Sequence, residues 1–220
     1  MMHAPTPNPD PLPSPEHVQL QVQIKICGVT HEEHIKAAAE CGADLIGLVL
    51  WPGSSRHVSL DRALQLAETV RREGLESVAL VVDAGPEFDA HAGHFDRVQF
   101  HGQESCERLA GCPRPTIRGF GFSPEAIDRW CTCPHVAWLL IDSPHGGSGE
   151  AFDHDAMLPH RDRITKPWFI AGGLRSESVA GVIAKLRPDG VDVSSGVERS
   201  RGVKDPELIR RFCESVRANG

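Results

Sequence analysis

Eight short apolar runs, separated by stretches of helical character, constrain the fold of this chain more than any other feature. The runs are Val22–Ile26, Leu45–Leu50, Val78–Val82, Arg97–Phe100, Thr116–Phe120, Val136–Ile141, Trp168–Ala171 and Val191–Val193. Near-continuous apolar residues, rather than alternation, are typical of strands buried in a parallel sheet. Eight strand–helix units predict a single-domain (β/α)8 TIM barrel. An open doubly wound sheet is the alternative that counting units leaves open.

Helix start signals stand between several of these runs. Thr30–Glu33 has the spacing of a capping box. Ser123–Pro124 and Asp205–Pro206 each combine an N-cap residue with proline at the first helical position. These signals predict helices in the connections, as the barrel requires.

The amino-terminal segment has a different character. Proline occupies every second position from Pro5 to Pro15, a pattern that favours extended chain and cannot build a packed element. We therefore predict a disordered Pro-rich tail over residues 1–21 and a barrel domain over residues 22–220.

Composition restricts the partners of the chain. The net charge is -7, aromatic residues make up 5% and tyrosine is absent, which argues against nucleic acid. No apolar run has membrane-spanning length and no signal peptide is recognisable, so we expect a cytoplasmic protein with no membrane partner and with reduced cysteines. An acidic protein can still bind a small phosphorylated molecule through main-chain amides.

Polar residues and glycines at the ends of the predicted strands form the candidate site, because barrel enzymes carry their active sites there. These residues are Cys27, Arg56, His101, Asp142, Gly172, Gly173, Asp192, Ser194, Ser195 and Gly196. The glycines after the seventh and eighth strands let main chain approach a ligand, and the helices that follow direct N–H groups toward an anion. The pattern favours a phosphate site, with tight turns as the alternative.

Three side chains suggest chemistry. Cys27 and Asp142 can act as base and acid, although a lone cysteine is also a common core residue and an aspartate can cap a loop. Arg56 suits a substrate carboxylate through its bidentate fork, with a surface ion pair as the alternative. Lys25 lies two residues before Cys27 on the same strand face, and the sequence leaves open whether it supports a thiolate.

Histidine and cysteine pairs raise a metal hypothesis. His31–His34, His91–His94 and Cys131–His135 have ligand-like spacings. None is joined by a second cluster along the chain, so we expect surface residues and no metal.

The motifs at the strand ends occur along the chain in the same order as in a known family. They are Lys25–Gly28, Gly42–Gly47, Ser55–Val58, Val98–Gly102, Leu140–Ser143, Ala171–Leu174 and Gly190–Glu198. From about residue 23 to residue 213 the chain resembles the phosphoribosylanthranilate isomerases. The resemblance implies a (β/α)8 barrel that catalyses an Amadori rearrangement in tryptophan biosynthesis, with a phosphorylated sugar–anthranilate substrate, as a monomer or homodimer.

The resemblance also implies roles for residues. Asp142 would be the general acid that opens the furanose ring, and Cys27 the general base that removes the C2′ proton. Arg56 would face the anthranilate carboxylate, while His101 and Asp192 would line the pocket. No metal or organic cofactor is implied, because the iminium nitrogen is the electron sink.

The phosphate loops would contain Gly173 and Ser195. Four positions depart from the family pattern: Ser148 stands where threonine is usual, His154 stands where tryptophan is usual, and Trp51 and Gly53 stand where smaller or charged residues are common. These departures concern substrate affinity rather than reaction type.

Two other functions compete. The related isomerase of histidine biosynthesis uses aspartate at the first strand end, where this chain has Cys27. A non-enzymatic phosphosugar-binding barrel would be expected to lose Cys27 or Asp142, and both are present.

Overall fold

Eight parallel strands close into a barrel in the computed structural model, which describes residues 21–144 and 153–218. The strands are β1 (Gln23–Cys27), β2 (Leu45–Val49), β3 (Glu76–Val81), β4 (Arg97–Phe100), β5 (Thr116–Gly121), β6 (Trp138–Asp142), β7 (Trp168–Ile170) and β8 (Gly190–Val193). Each strand pairs in parallel with the next, and β1 pairs with both β2 and β8. The predicted (β/α)8 barrel is confirmed, since an open sheet would leave β1 or β8 unpaired on one side.

Helices fill the connections on the outside of the barrel. They are α1 (Glu32–Glu40), α2 (Leu60–Arg72), α3 (Asp89–Ala92), α4 (Cys106–Leu109), α5 (Pro124–Thr132), α6 (Ser176–Leu186) and α7 (Pro206–Arg217). A 3₁₀ segment, His154–Arg163, precedes β7. The sequence did not predict the antiparallel hairpin of β9 (Glu198–Ser200) and β10 (Val203–Lys204), which lies between β8 and α7.

Two of the three predicted helix starts are confirmed. Ser123 and Asp205 accept hydrogen bonds from main-chain N–H groups in the first turns of α5 and α7. The capping box at Thr30–Glu33 is wrong: α1 takes His31 as its N-cap, with no side-chain cap bond. The Thr30 hydroxyl instead lies 2.8 Å from the His31 ring.

Side-chain alternation along the strands places the polar residues inside the barrel. A small apolar cluster fills the barrel interior and includes Leu45, Val78, Ile117, Leu140 and Phe169. A larger cluster packs the barrel against its helices. Because successive side chains point to opposite faces of a strand, Gly47 and Asp142 follow Leu45 and Leu140 on the inner face. The interior therefore changes from apolar to polar toward the carboxyl ends of the strands.

The expectation that all cysteines are reduced is wrong for one pair. Cys106, at the start of α4, and Cys133, just after α5, form a disulfide with 5.9 Å between their Cα atoms. They are 27 residues apart, and nothing in their spacing indicates that these two helix ends meet.

Residues 1–20 lie outside the described residues, so the boundary of the predicted tail remains a prediction. Deleting residues 1–20 is expected to leave the turnover rate and the Tm nearly unchanged, because proline-alternating chain contributes no core. Steady-state assays and thermal unfolding of both forms measure this. A Tm lower by several degrees would contradict it and indicate that the tail packs on the barrel.

Candidate functional site

A partly open cavity lies at the carboxyl ends of the strands. It is lined by Arg56, Asp142, Ser143, Ala171, Gly172, Gly173, Leu174, Asp192, Ser194, Ser195 and Gly196. Eight of the ten predicted site residues belong to this lining. The other two lie beside it: the Cys27 carbonyl accepts a hydrogen bond from Ser194 Oγ at 3.1 Å, and His101 Nε2 is 3.9 Å from Asp142 Oδ2.

The β7 and β8 loops pack so closely that their glycines cannot carry side chains. Gly172 and Gly173 have φ of 84° and 67°, a region that strongly favours glycine. A Cβ on Gly172 would lie 2.8 Å from the Ser143 nitrogen, and one on Gly196 would lie 1.9 Å from the Leu174 carbonyl oxygen. The cavity on this side is therefore walled largely by main chain.

Cys27 is the last residue of β1 and lies beside the buried ion pair of Lys25 and Asp192. Its side chain is nearly covered, and the fully buried Lys25 places Nζ 2.7 Å from Asp192 Oδ1. On β2, a Cβ at Gly47 would be 2.8 Å from Cys27 Sγ and 3.2 Å from Lys25 Nζ. Burial raises the pKa of the Cys27 thiol above its ordinary value, and the Lys25 cation opposes that shift.

Arg56 is held from the side by a carboxylate that the sequence analysis missed. Its Nε and Nη2 donate to Glu198 Oε1 and Oε2 at 2.6 and 2.9 Å. Gly28, with φ of 76°, makes room for Arg56, because a Cβ there would lie 2.4 Å from the Arg56 Cδ. A guanidinium has a second edge, formed by Nη1 and Nη2, and Arg56 lines the cavity. It is therefore both ion-paired, as the alternative interpretation had it, and able to receive a second carboxylate.

Lys204, on β10, forms a second ion pair with the Glu198 carboxylate that holds Arg56. Its buried Nζ donates to Glu198 Oε1 at 2.9 Å and to the Ser194 carbonyl oxygen at 2.9 Å. Although burial opposes it, Arg56 and Lys204 lower the pKa of Glu198 to about 2. The hairpin thus ties the arginine to the β8 loop. Glu198 belongs to the last family-like motif, which was the available sequence signal.

Asp142 lies at the end of β6 with a neutral histidine nearby. Its Oδ1 accepts a hydrogen bond from the Ser143 main-chain N–H at 2.7 Å. Burial raises the pKa of Asp142, and the Asp192 carboxylate adds to the shift. Burial lowers the pKa of His101 to about 4, so this ring carries no charge near neutral pH.

The segment around His101 is clamped by Arg118, a second residue that the sequence analysis missed. Its guanidinium donates to the carbonyl oxygens of Phe100 and Gly102 at 3.0 and 2.6 Å and to Glu104 at 3.0 Å. Arg118 lies inside the mostly apolar predicted strand Thr116–Phe120, and this charged residue was the sequence feature that could have indicated its role. The clamp fixes the main chain on both sides of His101.

His154, one of the departures from the family pattern, lies against the end of β7. Its Nε2 is 3.1 Å from the Ala171 carbonyl oxygen. Ser148 and the glycine loop 146–149 that carries it are outside the described part of the chain. His154 therefore contacts the main chain of the β7 loop, whose neighbouring residues line the cavity.

The metal hypothesis gains no support from the part of the chain that the structure describes. Within residues 21–144 and 153–218, no three His, Cys, Asp or Glu side chains converge as metal ligands would. In the candidate set Cys131–His135, Cys133 forms the disulfide. Over the same residues, no helix has the length and apolar character needed to cross a membrane.

Barrels of this kind carry their active sites at the carboxyl ends of the strands, where Asp142 lines the cavity of this chain and Cys27 lies beside that lining. The protein is therefore a (β/α)8-barrel enzyme. Residues 24–215 match the family model described as N-(5′-phosphoribosyl)anthranilate (PRA) isomerase. The chain belongs to this family of isomerases, which function in tryptophan biosynthesis.

Individual relatives agree with the family assignment. The N-(5′-phosphoribosyl)anthranilate isomerase of Chromohalobacter salexigens is 40% identical over 200 residues, covering 87% of this chain and 92% of the relative. A dimeric isomerase from Thermotoga maritima, solved as generated monomers, superposes with a TM-score of 0.79 at 30% identity, covering 90% of this chain and 100% of the other. A PRA isomerase in complex with reduced 1-(o-carboxyphenylamino)-1-deoxyribulose 5-phosphate gives a TM-score of 0.79 at 31% identity, with the same coverage. The competing histidine-pathway and non-enzymatic functions are thereby set aside.

Proposed function

We propose that this chain converts N-(5-phosphoribosyl)anthranilate into 1-(o-carboxyphenylamino)-1-deoxyribulose 5-phosphate by general acid–base catalysis, with Asp142 as acid and Cys27 as base. The observation that carries the proposal is a buried carboxyl at the end of β6 that lines the cavity, with a buried thiol beside it at the end of β1. An aldose–ketose rearrangement requires one group to protonate an oxygen and another to remove a carbon-bound proton.

Asp142 performs the first step in this mechanism. Burial raises the pKa of Asp142, so its carboxyl keeps a proton at a higher pH than an exposed aspartate does. It gives this proton to the furanose ring oxygen. The C1′–O bond breaks, and the lone pair of the anthranilate nitrogen forms the C1′=N bond of an iminium ion.

Cys27 performs the second step. Its thiolate takes the C2′ proton, and the electrons of the C2′–H bond form the C1′=C2′ bond of an enolamine as the iminium nitrogen accepts the displaced pair. The iminium cation favours the thiolate, which offsets the burial that raises the pKa of Cys27. Protonation at C1′ and loss of the C2′ hydroxyl proton then give the ketone. The iminium nitrogen is the electron sink, so the mechanism uses no metal or organic cofactor.

Binding in this proposal uses the whole cavity lining. The 5′-phosphate lies against the main-chain amides of Gly172–Gly173 and Ser194–Gly196, where glycines allow close approach. The anthranilate carboxylate pairs with the free edge of Arg56, and His101 and Asp192 flank the ribose. The ligand bound to the relative carries both a phosphate and a carboxyphenyl group, which supports these assignments.

Arg56→Ala is expected to raise KM by about tenfold to a hundredfold while changing kcat little. A charge-assisted pair contributes about 1.5–3 kcal/mol, and the carboxylate lies away from the bonds that change. Steady-state kinetics measure the split, with Arg62→Ala, an exposed arginine on α2, as control. A fall in kcat at unchanged KM would place Arg56 in the chemistry instead.

We also propose a cytoplasmic location and a monomeric or homodimeric state. The Thermotoga maritima relative is described as dimeric. Sedimentation of the purified chain at several concentrations distinguishes the two states.

Hydrogen isotopes test the reaction. In D₂O, proton removal at C2′ followed by solvent protonation should leave one deuterium at C1′ of the product, measured by mass spectrometry. A product without deuterium at C1′ would show that the C2′ hydrogen is carried to C1′ without exchange, and it would contradict protonation of C1′ from solvent. Growth of a tryptophan auxotroph that lacks the isomerase checks that the activity is physiological.

A further inference from the structure

We propose that Lys25 is a positioning residue for the base: its buried ammonium holds the Cys27 sulfur in an environment that accepts negative charge, and Asp192 holds Lys25 in place. The inference rests on the proposed role of Cys27. It adds a residue that no step of the mechanism above uses.

The geometry brings the three side chains to one point inside the barrel. Lys25 and Cys27 are two residues apart on β1, so both face inward, and Lys25 pairs in register with Asp192 on β8. Lys25 Nζ and Cys27 Sγ both lie within 3.2 Å of the position that a Cβ on Gly47 would occupy. A cation this close to a thiol stabilises the thiolate directly.

The surroundings of Lys25 exclude a direct role in substrate contact or proton removal. Its exposed fraction is 0%, so it lies behind the cavity wall and cannot contact the substrate. Burial by itself would lower the pKa of Lys25, but the charges and hydrogen bonds of Asp192 and Cys27 together raise it, so Lys25 stays protonated and cannot act as a base. A buried ion pair is also seldom more stabilising than apolar residues of the same volume. Stability alone therefore accounts poorly for the pair.

The charges around the thiol come from five elements, including β9, which carries Glu198. Lys25 approaches from β1, Asp192 from β8, Lys204 from β10 and Arg56 from the loop after β2. Glu198 partly neutralises Lys204 and Arg56 by pairing with both. This group holds three cations and two carboxylates, so a thiolate at Cys27 would balance its charge. Lys25 is the cation that contributes most to lowering the pKa of the thiol.

Alkylation of the free thiol by iodoacetamide tests the proposal without substrate. The full chain is labelled at pH 8, and peptide mass spectrometry gives the rate at Cys27 relative to Cys41 in the same sample. Lys25→Met should slow Cys27 by at least about tenfold, since an opposite charge at this range shifts a pKa by about one to three units and each unit is a tenfold change in thiolate. Cys41 is an internal reference, because the charges near it are those of Arg210 and glutamates.

Two further variants test how charge affects the labelling rate of Cys27: one removes the Asp192 carboxylate alone, and the other removes both charges of the pair. Asp192→Asn should speed Cys27 labelling, because the Asp192 carboxylate raises the pKa of the thiol. The Lys25→Met/Asp192→Asn double variant should fall between the wild type and Lys25→Met. It also leaves no unpaired buried charge, so it carries the test if the single variant does not fold. Lys36→Met, at an exposed position on α1, is the matched control and should match the wild type.

Enzyme kinetics provide the second readout. Lys25→Met should lower kcat by about the same factor as the labelling rate, because a smaller fraction of Cys27 is ionised, and any change in KM measures the loss of the bond from Lys25 to Asp192. An unchanged ratio of Cys27 to Cys41 labelling would overturn the role of Lys25. That result is distinct from failure of the proposed base, which would show as near-normal turnover in Cys27→Ser.

Discussion

Cys27→Ser is expected to lower kcat by about 10²–10⁴-fold, the range that a general base contributes. Serine keeps the size of the side chain and leaves the hydrogen bond from Ser194 Oγ to the Cys27 carbonyl oxygen intact, so the barrel should fold normally. Its hydroxyl ionises far less readily than a thiol and cannot take the C2′ proton at a useful rate. Binding of a reduced product analogue should persist, because the phosphate loops are unchanged.

The matched control removes another buried thiol. Cys213, on α7, is fully covered, and burial raises its pKa to about 12. Cys213→Ala should cost stability but leave kcat near the wild-type value. Near-normal turnover in Cys27→Ser would show that the base is another residue.

The pH profile of the Cys27→Ser variant gives an independent check. With both groups present, kcat/KM should be bell-shaped, and its two limits belong to the acid–base pair rather than to either residue. Without the thiol, the residual rate should depend on Asp142 alone. It should fall as the pH rises through the raised pKa of Asp142, because the acid must be protonated.

Asp142→Asn is expected to reduce kcat by a similar factor of about 10²–10⁴, because the amide cannot protonate the ring oxygen. The main-chain N–H of Ser143 can still donate to the amide oxygen, so the loop should keep its conformation. Asp155→Asn, at a half-exposed ion pair with Lys185, is the control and should be silent.

The Asp142→Asn variant should show the opposite pH dependence. Its residual rate should depend on Cys27 alone and rise with pH toward the raised pKa of the thiol, since the base must be ionised. The combined variant should lose less than the product of the single losses if one step already limits the rate. Two variants with the same pH slope would contradict the assignment of acid and base.

The fold could be predicted from the sequence because each strand appears as a local apolar run, and such runs repeat eight times along the chain. Each apolar run is long enough for a strand but too short for a helix, and the strand ends then identify the residues that line one cavity. Cys27 and Asp142 could be placed in this way, although they are far apart along the chain. Closure of the barrel brings β1 next to β8, which no single run encodes.

Contacts between distant segments could not be predicted. Lys204 looks like an ordinary surface lysine, and only the hairpin brings its Nζ to Glu198. Cys106 and Cys133 carry no spacing signal for their disulfide. Burial also decides pKa values, and a local pattern does not state how deeply a group such as Asp142 is covered.

Gly47 shows how a position can be essential without a functional group. Any side chain there would meet Cys27 Sγ at 2.8 Å and Lys25 Nζ at 3.2 Å. A deep mutational scan should therefore find Gly47 as intolerant of substitution as Asp142 and Cys27. The profile at Gly47 should follow volume, with alanine the mildest change, whereas the profiles at Cys27 and Asp142 should ignore volume and follow ionisation. The dependence on residue type, rather than average intolerance, separates a residue that reacts from one that leaves space for the reaction.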